Sequence, residues 1–90
     1  MLVALFALDR PGAIEIRKAN REAHLAHLEA SGMAVEAGPL LDAEGNMCGS
    51  LIIFDAPDLA AVEAWAEADP YRRAGLFERV EIRPWKKVIG

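Results

Sequence analysis

Arg17, Arg21 and His24 fall at i, i+4 and i+7, a spacing that stacks side chains on one face of an α-helix of about 3.6 residues per turn. Leu28 extends that face and Ile14 borders it. Two cations and an imidazole are thus interleaved with apolar residues that have to pack. Charges turned toward a core are costly unless something pairs them or water reaches them, so the face is expected to end over a small pocket. His24 can act there as a general base, because nearby positive charge favours the neutral imidazole, which can take a proton near neutral pH; its alternative is a helix histidine satisfied by a carbonyl or left half exposed. The arginines would hold a carboxylate or an enolate, for which a guanidinium is suited by its bidentate geometry. Their alternative fate is an ion pair within the fold. That alternative balances the ligand role at Arg21 and outweighs it at Arg17. On the far side, Glu15, Lys18, Glu22 and Glu29 form a solvent stripe, with Lys18 and Glu22 an i,i+4 pair. His27 points away from the pocket face and reads as a surface residue.

Other chemistries lack their residues. Two histidines and one cysteine at scattered spacing make no metal site, and there is no glycine-rich phosphate loop. Gly49-Ser50 enters a strand, so it is no nucleophile elbow. A net charge of −4 argues against nucleic acid or an anionic membrane surface, which call for a basic patch. No apolar run approaches the roughly 20 residues of a membrane span. Met1–Leu8 has no basic flank and runs into Asp9-Arg10, unlike a signal peptide. With Cys48 unable to form an internal disulfide, a soluble cytoplasmic protein is expected.

Ninety residues suffice for one domain, residues 1–90, with a single core. Leu2–Leu8 is too short and too apolar for anything but a strand, read as buried on both faces. Asp9-Arg10-Pro11-Gly12 turns the chain into the helix, Ala13–Ser31, with Gly32 as its C′ residue. Met33–Gly38 is a second strand broken by Gly38-Pro39. Asp42–Asn46 is a hairpin tip, and Ser50–Ala56 is a third strand. Gly38 and Gly49 serve turns or close backbone approach. Asp58 caps a second helix, Leu59–Ala68, which buries Leu59, Val62 and Trp65. Asp69-Pro70 ends it and opens a short turn, Tyr71–Ala74. Phe77–Arg83 alternates as the last strand, and Trp85–Ile89 is a tail with the makings of a short edge strand.

The order β-α-β-β-α-β predicts an α+β, ferredoxin-like antiparallel sheet with two helices on one face. Its two central strands would be the first and third, which carry no polar face. An open two-layer sheet should alternate. The missing alternation predicts a homodimer in which the sheet faces pack against one another.

A run of residues from end to end resembles the YCII-related family of dimeric α+β barrel proteins. It comprises Leu2-Val3-Ala4, Arg21-Glu22-Ala23-His24-Leu25, Gly38-Pro39-Leu40, Gly49-Ser50, Ala64-Trp65-Ala66-Glu67-Ala68-Asp69-Pro70-Tyr71, Ala74-Gly75-Leu76-Phe77 and Val80-Glu81-Ile82-Arg83-Pro84-Trp85. The resemblance implies a catalytic pair at His24 and Asp69, with Ser50 and Tyr71 as pocket-wall donors. Some relatives in that family act on chlorinated aromatic ring-cleavage or hydroquinone intermediates. The wider superfamily includes lactone isomerases, monooxygenases and stress-related binding proteins. Asp69 also has a structural use as a helix cap, at a position where the preceding helix dipole disfavours a carboxylate. Its free oxygen would then orient His24.

The expected function is a small, cofactor-independent enzyme. It would move a proton on, or eliminate from, a small anionic molecule of phenolic or lactone-like type. His24 is the acid or base, Asp69 its orienting partner, and Arg21, with Arg17, the anion clamp. The alternatives are a non-catalytic metabolite-binding dimer and a structural subunit of a larger complex.

Overall fold

The computed structural model describes residues 1–90. Strand β1 (Leu2–Asp9) pairs antiparallel with β3 (Met47–Asp55) on one side and β4 (Phe77–Pro84) on the other. Strand β2 (Ala34–Leu41) pairs with β3 at the edge, giving the order β2-β3-β1-β4. The chain is therefore an antiparallel α+β sheet of ferredoxin-like type, with the two apolar strands at its centre. Its helices are α1 (Ile14–Ser31), α2 (Leu59–Glu67) and the single turn α3 (Pro70–Arg73).

The helices all lie over one face of the sheet. Val3, Leu5, Ile52 and Phe54 meet Leu28 of α1 and Val62, Trp65 and Ala66 of α2 in one cluster. Ala13, Tyr71 and Leu76 close a smaller cluster at the α3 end. Because every helix packs on the same side, β1 is not buried on both faces within the chain. Val3, Leu5 and Ala7 are buried, whereas Phe6 is 36% exposed and Leu51 beside it on β3 is 43% exposed.

Local chemistry sets the element ends. Gly32 ends α1 in the left-handed region and its N–H returns to the Glu29 carbonyl, a cap that glycine adopts at least cost. The Asp58 carboxylate accepts from the Ala61 N–H at 2.9 Å to start α2. Asp42 folds the hairpin tip by accepting from the backbone N–H groups of Glu44 and Asn46.

Most element boundaries lie within a residue of the sequence reading, and the larger differences have local causes. Gly38-Pro39 does not break β2, which continues to Leu41 with Pro39 opposite Ser50. The strand is at the edge of the sheet, where a missing N–H is tolerated, so Gly38 sits in mid-strand and not in a turn. Met33 stays outside β2, its carbonyl accepting from the Asp55 N–H. The tight hairpin lets β3 begin at Met47, ahead of the expected Ser50. Trp85 bonds to the Leu2 carbonyl, but the tail beyond it forms no strand. Gly49 is a close-approach glycine: a Cβ there would collide with the Ala7 carbonyl oxygen and the Leu40 side chain.

Candidate active site

The polar face of α1 lies over a cavity of about 130 Å³ between the helix, β2 and β3. Arg17, Arg21 and His24 line it from α1, Ser50 from β3 and Tyr71 from α3, with Leu25, Leu28, Pro39, Met47 and Ile52 among the apolar walls. The helical spacing therefore brings the three basic residues to one pocket.

His24 is 5% exposed, and its Nδ1 lies 2.8 Å from Asp69 Oδ1. The same oxygen accepts from the Tyr71 N–H at 3.0 Å. One Asp69 oxygen thus does both tasks, capping α3 and holding the imidazole, where the sequence reading gave His24 the other oxygen. The reason is geometric. The cap points Oδ1 across the start of α3, and α3 itself packs against α1 beside His24. An acceptor at Nδ1 places the neutral ring's proton on that nitrogen and leaves the lone pair on Nε2. Nε2 has no protein partner, yet no buried side-chain nitrogen or oxygen is unpaired; Nε2 is therefore reached by solvent.

The ring is held on its faces as well. Tyr71 stacks on His24 with centroids 3.9 Å apart and 12° between planes, and Trp65 meets it edge-on at 5.9 Å. Stacked and edge-on contacts of this kind restrict the ring beyond simple burial. On Tyr71 lies the Arg17 guanidinium, 4.7 Å from the ring centroid, a cation–π contact. Burial pushes the Tyr71 hydroxyl above its ordinary range, with the Arg17 and Arg21 charges pulling back and Asp69 adding to the rise.

Arg17 is 3% exposed and bidentate on Asp9, Nε to Oδ2 at 2.7 Å and Nη2 to Oδ1 at 2.9 Å. Nη2 also donates to Ser50 Oγ at 3.0 Å. Burial lowers the Arg17 pKa, but the bond and charge of Asp9 outweigh it and hold the group above its usual value. Its charge is matched within the fold, the fate favoured for it on sequence grounds. Arg21 differs: it is exposed at the cavity rim and none of the chain's ion pairs includes it.

Two partners were invisible in the sequence. Asp9 appeared only as the first residue of the turn after the first strand, and no local spacing ties it to Arg17. His27 is half-buried and not a surface residue: its Nε2 lies 2.9 Å from the Trp65 carbonyl, and the Trp65 indole N–H donates to the His27 carbonyl. The rings stack at 4.8 Å. Trp65 of α2 reaches α1 there, which a helical wheel of α1 alone does not reveal. No cluster of three or more His, Cys, Asp or Glu side chains is placed to hold a metal ion, and no helix is long and apolar enough to cross a membrane.

Residues 1–86 match the family model of the YCII-related domain. The chain is 38% identical to protein YciI of Escherichia coli O6:H1 over a 98-residue alignment covering 99% of this chain and 100% of that protein. It is similar to the structure of 5-chloro-2-hydroxyhydroquinone dehydrochlorinase (TftG) from Burkholderia phenoliruptrix, a complex with 2,5-dihydroxybenzoquinone. That likeness has a TM-score of 0.89 at 36% identity and covers 96% of this chain and 94% of the other. An antibiotic biosynthesis monooxygenase shares the fold alone, at TM-score 0.62 and 16% identity over 99% of this chain and 100% of that one.

Proposed function

From the premise that this chain belongs to the YCII-related family, we propose that it is a small, cofactor-independent enzyme acting by proton transfer or elimination on a small phenolic or lactone-like anion. The observation that carries this reading is the buried bond from His24 Nδ1 to Asp69, beside an Nε2 open to solvent at a cavity. Asp69 fixes the tautomer and steadies the imidazolium that forms when Nε2 takes a proton. Arg21, without an ion-pair partner, draws the anion to the rim, and Arg17, Ser50 and Tyr71 complete the wall. In an elimination, Nε2 removes the proton and the leaving group departs with its bonding electron pair. The likeness to a dehydrochlorinase that acts on a chlorinated hydroxyhydroquinone supports phenolic substrates over lactones.

The test is chloride release from 5-chloro-2-hydroxyhydroquinone, the substrate named for the relative. Release by the native protein that is lost in His24→Gln and cut at least about a hundredfold in Asp69→Asn supports the acid–base pair. Binding with no release in the native protein would leave a metabolite-binding dimer as the better account.

The assembly belongs to the same reading. On the open face of the sheet, Phe6 and Leu51 lie side by side and exposed. Ala4 and Ile53 flank them, with Arg79, Glu81 and Arg83 along the β4 edge. A second copy packed face to face would remove this apolar strip from water, so the functional unit is a homodimer. A cytoplasmic setting belongs to this reading as well.

A further inference from the structure

Ser50 is 3% exposed, lines the cavity, and accepts a hydrogen bond from Arg17 Nη2 at 3.0 Å. That bond occupies an acceptor position on Oγ and polarises the hydroxyl, because the donor is a cation. The hydroxyl proton is left free, and no group of the protein accepts it. Its open direction is the cavity. Arg17 cannot swing in as a ligand clamp without breaking its two bonds to Asp9. Its rotamer is fixed further by the Tyr71 ring beneath the guanidinium.

We propose that Asp9 and Arg17 are positioning residues that aim the Ser50 hydroxyl at the oxygen of a bound phenolate or enolate. This deepens the proton-transfer reading of the cavity and rests on it. Asp9 holds Arg17, Arg17 holds the Ser50 oxygen, and the Ser50 proton is donated to the ligand oxygen on which negative charge collects. The site then has two arms on different elements. His24 on α1 exchanges a proton through Nε2, and Ser50 on β3 stabilises the charge that this exchange leaves behind. A donor held in place before the charge develops reorganises little as the reaction proceeds. The arrangement also explains why a charged residue as costly to bury as Arg17 stands on the pocket face of α1: it acts on the ligand through Ser50.

The test uses para-nitrophenol, whose phenolate is visible by its absorbance, titrated with the native protein and with Ser50→Ala, Ser50→Thr and Asp9→Asn. A hydrogen bond to a charged oxygen favours the ionised ligand. In Ser50→Ala, phenolate affinity is expected to fall by about tenfold to a hundredfold. The bound phenol's pKa should rise by about one to two units with it, while affinity for the neutral phenol barely changes. Ser50→Thr, which keeps the hydroxyl, should restore much of the loss. Asp9→Asn unpins Arg17, so the effect of Ser50→Ala on phenolate affinity should shrink to within about twofold when it is made in that background. Phenolate affinity within about twofold of native in Ser50→Ala overturns the proposal, and a full Ser50→Ala loss in the Asp9→Asn background overturns the positioning role. If Asp9→Asn does not fold, the two Ser50 variants decide. Arg21→Ala separates the levels. If the native protein fails to bind the probe, or binding is indifferent to Arg21, the anion-pocket reading falls and this proposal falls with it. Binding that needs Arg21 but ignores Ser50 overturns this proposal alone.

Discussion

Replacing Arg17 by methionine keeps much of the side chain's length and removes its charge. The cost follows from what is left behind. The Asp9 carboxylate, 5% exposed at its side chain, loses both guanidinium bonds, and Ser50 Oγ loses its donor. Breaking a buried ion pair by removing one partner costs about 3–5 kcal/mol, because the other charge stays buried without compensation. For a domain of this length about 1 kcal/mol moves the midpoint by about 4–8 °C, so Arg17→Met should melt at least about 12 °C below the native protein. Removing both charges should be far milder. Asp9→Leu combined with Arg17→Met replaces the pair with apolar groups, a change that is often neutral or stabilising, and most of the lost midpoint should return. The assay is thermal and urea unfolding followed by circular dichroism at one fixed protomer concentration, since association shifts the midpoint by mass action. A single-variant cost under about 1 kcal/mol, the range of an exposed pair, would refute the reasoning. So would a double variant as unstable as the two single changes added together.

Tyr71 is the chain's only tyrosine, so the tyrosinate absorbance of the folded protein reports it alone. Its folded pKa is raised, chiefly by burial. The stability this contributes is complete below the ordinary value of about 10 and is lost as pH rises through the folded value. Urea midpoints should fall between about pH 10 and the higher pH at which folded Tyr71 ionises, and ionisation at the ordinary value in the folded state would contradict the burial argument. Arg21→Ala should leave thermal stability nearly unchanged in buffer yet remove the stabilisation that para-nitrophenolate gives the native protein, about 2.7 kcal/mol at a hundredfold excess over the dissociation constant; a large loss without ligand would make Arg21 a structural residue. Light scattering on a sizing column should give about twice the 9.8 kDa chain mass, and Leu51→Lys, which puts a charge on the open sheet face, should shift the species to monomer; a native monomer would sink the sheet-to-sheet assembly. Gly49→Ala should destabilise by more than about 1 kcal/mol, because the new methyl meets backbone that cannot step aside; equal urea midpoints would show that the strands can part there.

The sequence by itself determined everything that depends on neighbours along the chain. The 3.6-residue repeat placed Arg17, Arg21, His24 and Leu28 on one face of α1 whatever that helix came to pack against. The Asp69-Pro70 pair forced a helix end and a new turn, because the residue before proline is driven from the helical region. The unbroken apolar runs of β1 and β3 marked the two central strands, since only those positions lack an edge that must meet water. Pro39 misled because its effect on a strand depends on whether the strand is central or at the edge, and edge position is a property of the assembled sheet. Tertiary structure alone decided the partners. Asp9 meets Arg17 only because β1 and α1 pack side by side after the Pro11-Gly12 turn. His24 meets Asp69, 45 residues away, only because α3 docks on α1 with its capping oxygen facing the helix. His27 is withdrawn from solvent only because Trp65 of α2 stacks on its ring. Hydrogen bonds of this kind are made within about 3 Å. An ångström of slippage between two packed elements makes or breaks them, and that offset is set by how whole surfaces fit together.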